Sequence, residues 1–261
     1  MATPAQDPQD ARDAGAELSA LRAELAALRQ AHAGLLHAVS HDLRAPLRHI
    51  SSFAPLLREA VQALQAGDLA AGAETEEFLQ PMEQGARRLA RMIDALLLLS
   101  RTASGPLQPA PIDLVAQAQA LAAQLAAPGA LVQWQWPAAP VLLQADAAQL
   151  RQLLQALLEN ALKFSQGRAP AQIALRAEPL AGGGWRWSVQ DNGAGFDLAR
   201  AQGLFGLFQR LHRESEFEGL GVGLALAQAI AQRHGARITA QAQPGAGCTI
   251  HLDWPAHVSH V

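Results

Sequence analysis

Apolar residues recur through the first third of the chain at helical spacing. Leu36, Val39, Leu43, Leu47, Ile50, Leu57, Val61 and Leu64 fall three, four or seven residues apart, which marks one buried face of a helix. Upstream the spacing tightens to a heptad alternation at Leu18, Leu21, Leu25, Leu28, His32, Leu35 and Val39. That is a coiled-coil seam with His32 as its one polar interruption. Pro46 has no amide to donate, so a kink is expected just beyond His41. Small residues with Gly67 and Gly72 then end the helix near Leu64. A second amphipathic helix carries Phe78, Met82, Leu89, Met92, Leu96 and Leu99. The two helices predict an antiparallel hairpin with a broad apolar stripe left over, so two chains are expected to pair into a dimeric four-helix bundle.

Beyond the Pro- and Gly-rich stretch 104–111 the pattern changes to alternation of strands and helices. Asp113 to Ala126 reads as a helix with Asp113 at its N-cap, Leu131 to Trp136 as a strand, and Ala147 to Phe164 as a strong helix. Ile173 to Arg176 and Trp185 to Gln190 read as strands either side of the turn Gly182-Gly183-Gly184. Gly223 to His234 reads as a helix, and Ile238 to Ala242 with Thr249 to Leu252 as a closing hairpin. The predicted class is α+β: a helical hairpin, then an α/β sandwich with helices on one sheet face. The expected division is a flexible tail at 1–15, a coiled coil and helical hairpin at 16–103, a linker at 104–111, a sandwich domain at 112–256 and a short tail at 257–261.

The chain has 261 residues, 50% hydrophobic and 16% charged, enough for one or two domains with real cores. A net charge of -3 without a basic stripe gives no reason to expect nucleic-acid binding. Cys248 is the single cysteine, which excludes an internal disulfide and a thiolate metal site. The densest apolar run, Ile93 to Leu99, carries Asp94 and is far too short to span a membrane. The start of the chain lacks the basic-then-apolar order of a signal peptide, so a cytoplasmic protein without membrane insertion is expected.

Four features could carry chemistry. At about 100° per residue, His41 points nearly opposite the mean of the apolar face, with Asp42 beside it. A carboxylate can orient one imidazole nitrogen while the other attacks an electrophile, although a lone solvated histidine would look the same. On the helix Leu150 to Phe164, Asn160 and Lys163 share a face; an amide oxygen suits a hard cation such as Mg²⁺ and an ammonium suits phosphate. An ordinary polar helix side is the other reading. Asp191-Asn192-Gly193-Ala194-Gly195-Phe196 follows a strand end, where a rigid carboxylate can accept from an exocyclic amine such as adenine's, or mark a plain turn. Gly219-Leu220-Gly221-Val222-Gly223 opens a helix, offering amides to anionic phosphate. The dinucleotide fingerprint fails here, because G-x-G-x-G follows a charged, glycine-containing segment instead of a strand. The segment Phe196 to Leu220 reads as a mobile lid over a site.

In this order the set resembles the transmitter of a two-component sensor histidine kinase. His41 to Pro46 resembles the H box, Leu150 to Phe164 the N box and Asp191 to Gly195 the first glycine box. Phe205 to Arg210 resembles the F box, Gly219 to Leu224 the second glycine box and Gly245 to Thr249 the terminal one. The wording His-Asp-Leu-Arg-Ala-Pro-Leu-Arg is similar to the phytochrome-like subgroup, and the resemblance covers roughly residues 35–255. It implies a dimerisation and phosphotransfer bundle followed by a Bergerat-type ATP-binding domain of the family shared with gyrase, Hsp90 and MutL. By the same resemblance, His41 is the phosphoacceptor, with Asp42 orienting or deprotonating it. Asn160 holds Mg²⁺, Lys163 and Arg210 contact phosphates, and Asp191 reads adenine. Gly193, Gly195, Gly219, Gly221 and Gly223 shape the pocket and lid. The implied function is ATP-dependent autophosphorylation of His41 in a homodimer, then transfer to an aspartate of a separate response regulator's receiver domain. The chain departs from the family at Ala156, where relatives often carry another asparagine, and at Ala45, where many carry Thr or Asn. The remaining alternative is a kinase-like scaffold that binds a partner, and ATP, but transfers phosphate poorly. His32, His37, His49, His212 and His234 belong to no box and read as structural or surface residues, and Cys248 as a small buried filler.

Overall fold

The computed structural model describes residues 8–126, 131–201, 203–213 and 216–256. Side chains in the first helix are described continuously only from Ala38 onward, so the expected seam from Leu18 to Leu35 lies outside the described residues, as do residues 1–7 and 257–261. By packing the chain forms two compact units, 1–89 and 90–261.

In the first unit, helix α1 runs from Pro8 to Gln65 and helix α2 starts at Ala71. Residues 8–15, expected as part of a loose tail, are therefore helical. Pro46 and Pro55 both lie inside α1 and neither ends it. Pro46 is buried, and its missing N–H leaves the Asp42 carbonyl without its helical donor. Phe53 and Phe78 bring their ring centroids within 6.2 Å to join the two helices. Leu47 remains 53% exposed and Leu64 38%, although both belong to the apolar face read from sequence.

The second unit begins within α2, which ends at Ala103. Strand β1 (Pro109–Asp113), helix α3 (Leu114–Leu125), strands β2 (Val132–Gln135) and β3 (Leu142–Asp146), and helix α4 (Ala147–Phe164) follow. Then come β4 (Ala171–Pro179), β5 (Trp185–Asp191), a 3-10 turn Leu198–Arg200, helix α5 (Gly223–Arg233) and the strands β6 (Arg237–Gln243) and β7 (Gly247–Trp254). Five strands form one sheet in the order β2-β4-β5-β7-β6. The β2–β4 pair is parallel and the others are antiparallel.

Strand β1 occupies part of the expected linker. Pro109–Pro111 pair with β3 instead of lying loose, from Pro109 opposite Asp146 to Asp113 opposite Leu142. A two-stranded ladder has free edges, which is where proline's missing donor is tolerated. Asp113 caps α3 by accepting from the amides of Val115 and Ala116, and Asp146 caps α4 in the same way through Ala148 and Gln149.

The core lies between α3, α4 and α5 and one face of the sheet. Leu150, Leu153, Leu154, Leu157 and Leu158 of α4 meet Ile173, Leu175, Trp187, Val189, Ile250, Leu252 and Trp254. All five leucines are essentially inaccessible to solvent, and burying each contributes about 1.5–3 kcal/mol. His234, also fully buried, accepts the Asp146 N–H at Nε2 (3.1 Å), and its Nδ1 pairs with the Ile230 carbonyl at 2.8 Å. It ties the end of α5 to the start of α4. Alternation along the strands places Asp191 at the end of β5 on the same face as Trp187 and Val189, beside α4.

Candidate active site

His41 is on α1 with its side chain 71% exposed, and its Nδ1 lies 3.2 Å from Oδ1 of Asp42. The pairing leaves Nε2, the nitrogen on the far side of the ring, directed to solvent.

A cavity of about 370 Å³ opens in the second unit between α4, the end of β5, the start of β7 and the segment 204–224. That volume lies within the range of small-molecule sites. Its walls include Asn160, Lys163, Asp191, Gly195, Arg210, Gly219, Gly221 and Gly223, eight of the nine residues expected to bind nucleotide. The ninth, Gly193, sits behind the wall and donates its N–H to Asp191 Oδ1 at 2.8 Å.

Asp191 is only 8% exposed. Its Oδ1 also accepts the Cys248 N–H at 3.2 Å, so both backbone donors fall on one oxygen and Oδ2 is left to the cavity. Burial pushes this carboxyl above the usual carboxylate range, partly offset by the two amides. A rigid acceptor in an apolar wall, with Ile250, Val189 and Leu157 beside it, is suited to a donor on a flat heterocycle.

Lys163 and Asn160 face the cavity from α4, one turn apart. Burial, and then the charge of Arg210, lowers the Lys163 ammonium from its ordinary value, against the pull of Glu159. Its Nζ sits 4.4 Å from the Phe164 ring centroid. Such a cation, short of solvent and beside a second positive charge, gains most when an anion arrives.

Described residues of the segment 196–220, among them Phe196, Leu204 and Leu211, line the cavity. Arg210 holds the segment in shape, donating to the carbonyls of Gly219 and Phe217. Gly221 needs to be glycine twice over, because its φ is +73° and a Cβ there would strike the backbone of Phe208 and Gln209. Gly195, at φ +58°, packs equally closely on Gln243. After this segment, α5 opens at Gly223 with Val222 as N-cap and no side-chain cap. Its first amides are therefore available to an anion.

Two residues read from sequence as bystanders belong to the site. His212 lines the cavity in an aromatic cluster, 5.4 Å from Phe164 and 5.1 Å from Phe217 between ring centroids. Cys248 lines the floor, its thiol pushed up to about 12 by burial and the neighbouring Asp191. Nothing in the sequence spacing marks His212, whereas Cys248 falls within the stretch Gly245 to Thr249 that resembles the terminal glycine box. His234, by contrast, is structural as expected.

Among the described residues no group of three or more His, Cys, Asp or Glu side chains could cage a metal by itself. A single amide ligand, Asn160, fits a Mg²⁺ that draws its other oxygens from phosphate and water. No helix among the described residues is long and apolar enough to cross a membrane.

Residues 31–105 match the His Kinase A (phospho-acceptor) domain, and residues 145–258 the histidine kinase-, DNA gyrase B- and HSP90-like ATPase. Cyanobacterial phytochrome A of Nostoc sp. is 32% identical over 84% of this chain and 28% of its own length. The phosphate regulon sensor protein PhoR of Pseudomonas aeruginosa is 31% identical over 85% of this chain and 49% of its own length. The chain thus spans less than half of either relative. The solved structure of full-length ShkA in complex with AMPPNP matches with a TM-score of 0.53 and 25% identity, covering 71% of this chain and 39% of that one. The two matched domains follow one another over most of the chain, its relatives are sensor histidine kinases, and the chain belongs to that family.

Proposed function

We propose that the chain is an ATP-dependent protein-histidine kinase that autophosphorylates His41 as a homodimer in the cytoplasm. The phosphoryl group then passes to an aspartate of a separate response regulator's receiver domain. The observation that carries this reading is the solvent-facing imidazole paired with Asp42, in the same chain as a nucleotide-sized cavity floored by a buried carboxylate. A relative of known structure, ShkA, is in complex with an ATP analogue, which supports the same ligand here.

In this reading Asp191 Oδ2 accepts the exocyclic amine of adenine. Lys163, Arg210 and the first amides of α5 meet the phosphates, and the lid segment excludes water from them. Asn160 is the side chain that would hold Mg²⁺, which would supply charge neutralisation for the phosphates when bound. His41, with Nδ1–H donating to Asp42, keeps a lone pair on Nε2 for attack. An N–P bond forms as the bond from the γ-phosphorus to its bridging oxygen breaks. The electron pair leaves with ADP, and the Nδ1 proton passes toward Asp42. Little covalent chemistry is asked of the protein beyond positioning.

Incubation with γ-labelled ATP and Mg²⁺ tests the proposal. Acid-labile, alkali-stable label on the wild type that vanishes in His41→Gln supports it. Tight nucleotide binding without label points instead to a scaffold that has kept the cavity and lost the transfer.

A further inference from the structure

Helix α5 joins two places that matter. Its first residue, Gly223, lines the nucleotide cavity, and its last, Arg233, closes the 11-residue helix, about 15 Å away along the axis. There the guanidinium donates Nη1 to the carbonyl of Thr102, and to that of Ser104 at 3.4 Å, and Nη2 to the carbonyl of Gly105. These oxygens belong to the last residues of α2 and the turn that follows, where carbonyls have run out of helical donors.

Two helix C-termini, those of α2 and α5, thus meet around one fixed positive charge. Each carries about half a negative charge from its aligned peptides, so they would repel without it. The junction is reinforced by apolar contact: Thr102 is buried, and Leu98 and Leu99 pack against the second unit's core. The boundary between the compact units lies at Leu89/Ala90, inside α2, and not in the connector that follows it.

We infer that Arg233 is a positioning residue that welds the end of α2 to the ATP-binding unit, so that α5 carries the state of the nucleotide cavity to the phospho-acceptor helices. A weld of this kind leaves nucleotide affinity alone and acts on delivery of the phosphoryl group. Transfer between two bodies requires a narrow set of orientations, and a loosened joint makes that set rarer. Lysine, a single point charge, cannot reach three carbonyls in the fixed fork of a guanidinium.

The turnover arm of this inference rests on the kinase reading; the structural arm does not. Arg233→Gln and Arg233→Lys in the full chain are to be compared with wild type by amide hydrogen exchange, by titration with AMPPNP and by autophosphorylation kinetics. In Arg233→Gln, exchange over residues 100–107 accelerates at least about tenfold while that of 147–164 is unchanged, and kcat falls about tenfold with KM for ATP within about twofold. Arg233→Lys lies between. Unchanged exchange over 100–107 overturns the weld, and so does a loss of AMPPNP affinity as large as the loss of rate. A wild type that takes up no label sinks the kinase reading alone, and exchange over 100–107 still decides the weld.

Discussion

Asp191 illustrates how a single buried carboxylate in a cavity wall weighs on the fold. Its pKa lies above the unfolded value because burial penalises the anion. A group raised in this way stabilises the folded chain at low pH and loses that contribution as pH rises through the folded value, so the buried carboxyl weighs on the fold as pH rises. Asp191→Asn keeps an oxygen for the amides of Gly193 and Cys248 but turns an NH₂ toward the cavity, where it would face adenine's amine donor to donor. The variant should melt about 2–4 °C higher and bind ATP at least about tenfold more weakly, read by calorimetry and equilibrium titration. His234 has the opposite shift: burial lowers its pKa, against the pull of the Ile230 carbonyl and Asp146. Above the unfolded value both states are neutral and the buried imidazole makes its two bonds. As pH falls through about 6.5 the unfolded chain takes up a proton that the native chain refuses, and stability drops. The urea midpoint should therefore fall between pH 7.5 and pH 5.5, and by less in His234→Gln.

Elements with strong internal periodicity were the most legible. Helix α4 was expected at 147–164 and found there, and α3 carries the predicted Asp113 cap. Both bury an apolar stripe, leucine-rich in α4 and of leucine, valine and alanine in α3, so local pattern and tertiary packing agree. Strands β1 and β3 were missed for a physical reason. Pro109 and Pro111 punctuate a stretch that pairs only with another short strand, and neither strand has the length that makes alternation visible. Strand β4 extends from Ala171 to Pro179, well beyond the expected Ile173 to Arg176, because its ends are ordered by β2 and β5 and not by their own residues. The segment 196–220 was readable as a connector near a site, but the cluster of Phe164, His212 and Phe217 depends on how it folds back. Gly221 offers a direct test of that folded-back shape. Gly221→Ala would push a Cβ into the Gln209 backbone at a φ that only glycine adopts cheaply. Nucleotide affinity should fall at least about tenfold, while the thermal transition of the sandwich, followed by circular dichroism, shifts by less than about 3 °C.

For the molecule as a whole, the leucines left uncovered on α1 argue for a second copy. Leu47 and Leu64 lie on the apolar face of a helix yet stay exposed in the single chain. Burying a leucine in each of two symmetric copies is worth about 3–6 kcal/mol in total, so Leu47→Glu should weaken dimerisation at least about a hundredfold by sedimentation without changing AMPPNP binding. Helix α1 itself runs unbroken from Pro8 past His41 to Gln65, and that continuity has a geometric consequence. One added residue upstream of the histidine turns whatever lies before it by about 100° relative to the imidazole, whereas seven return it to within about 20°. A rod of this kind reports rotation as readily as displacement. Any partner gripping its beginning would set the azimuth of the reactive ring, and the phase of that grip would be counted in heptads.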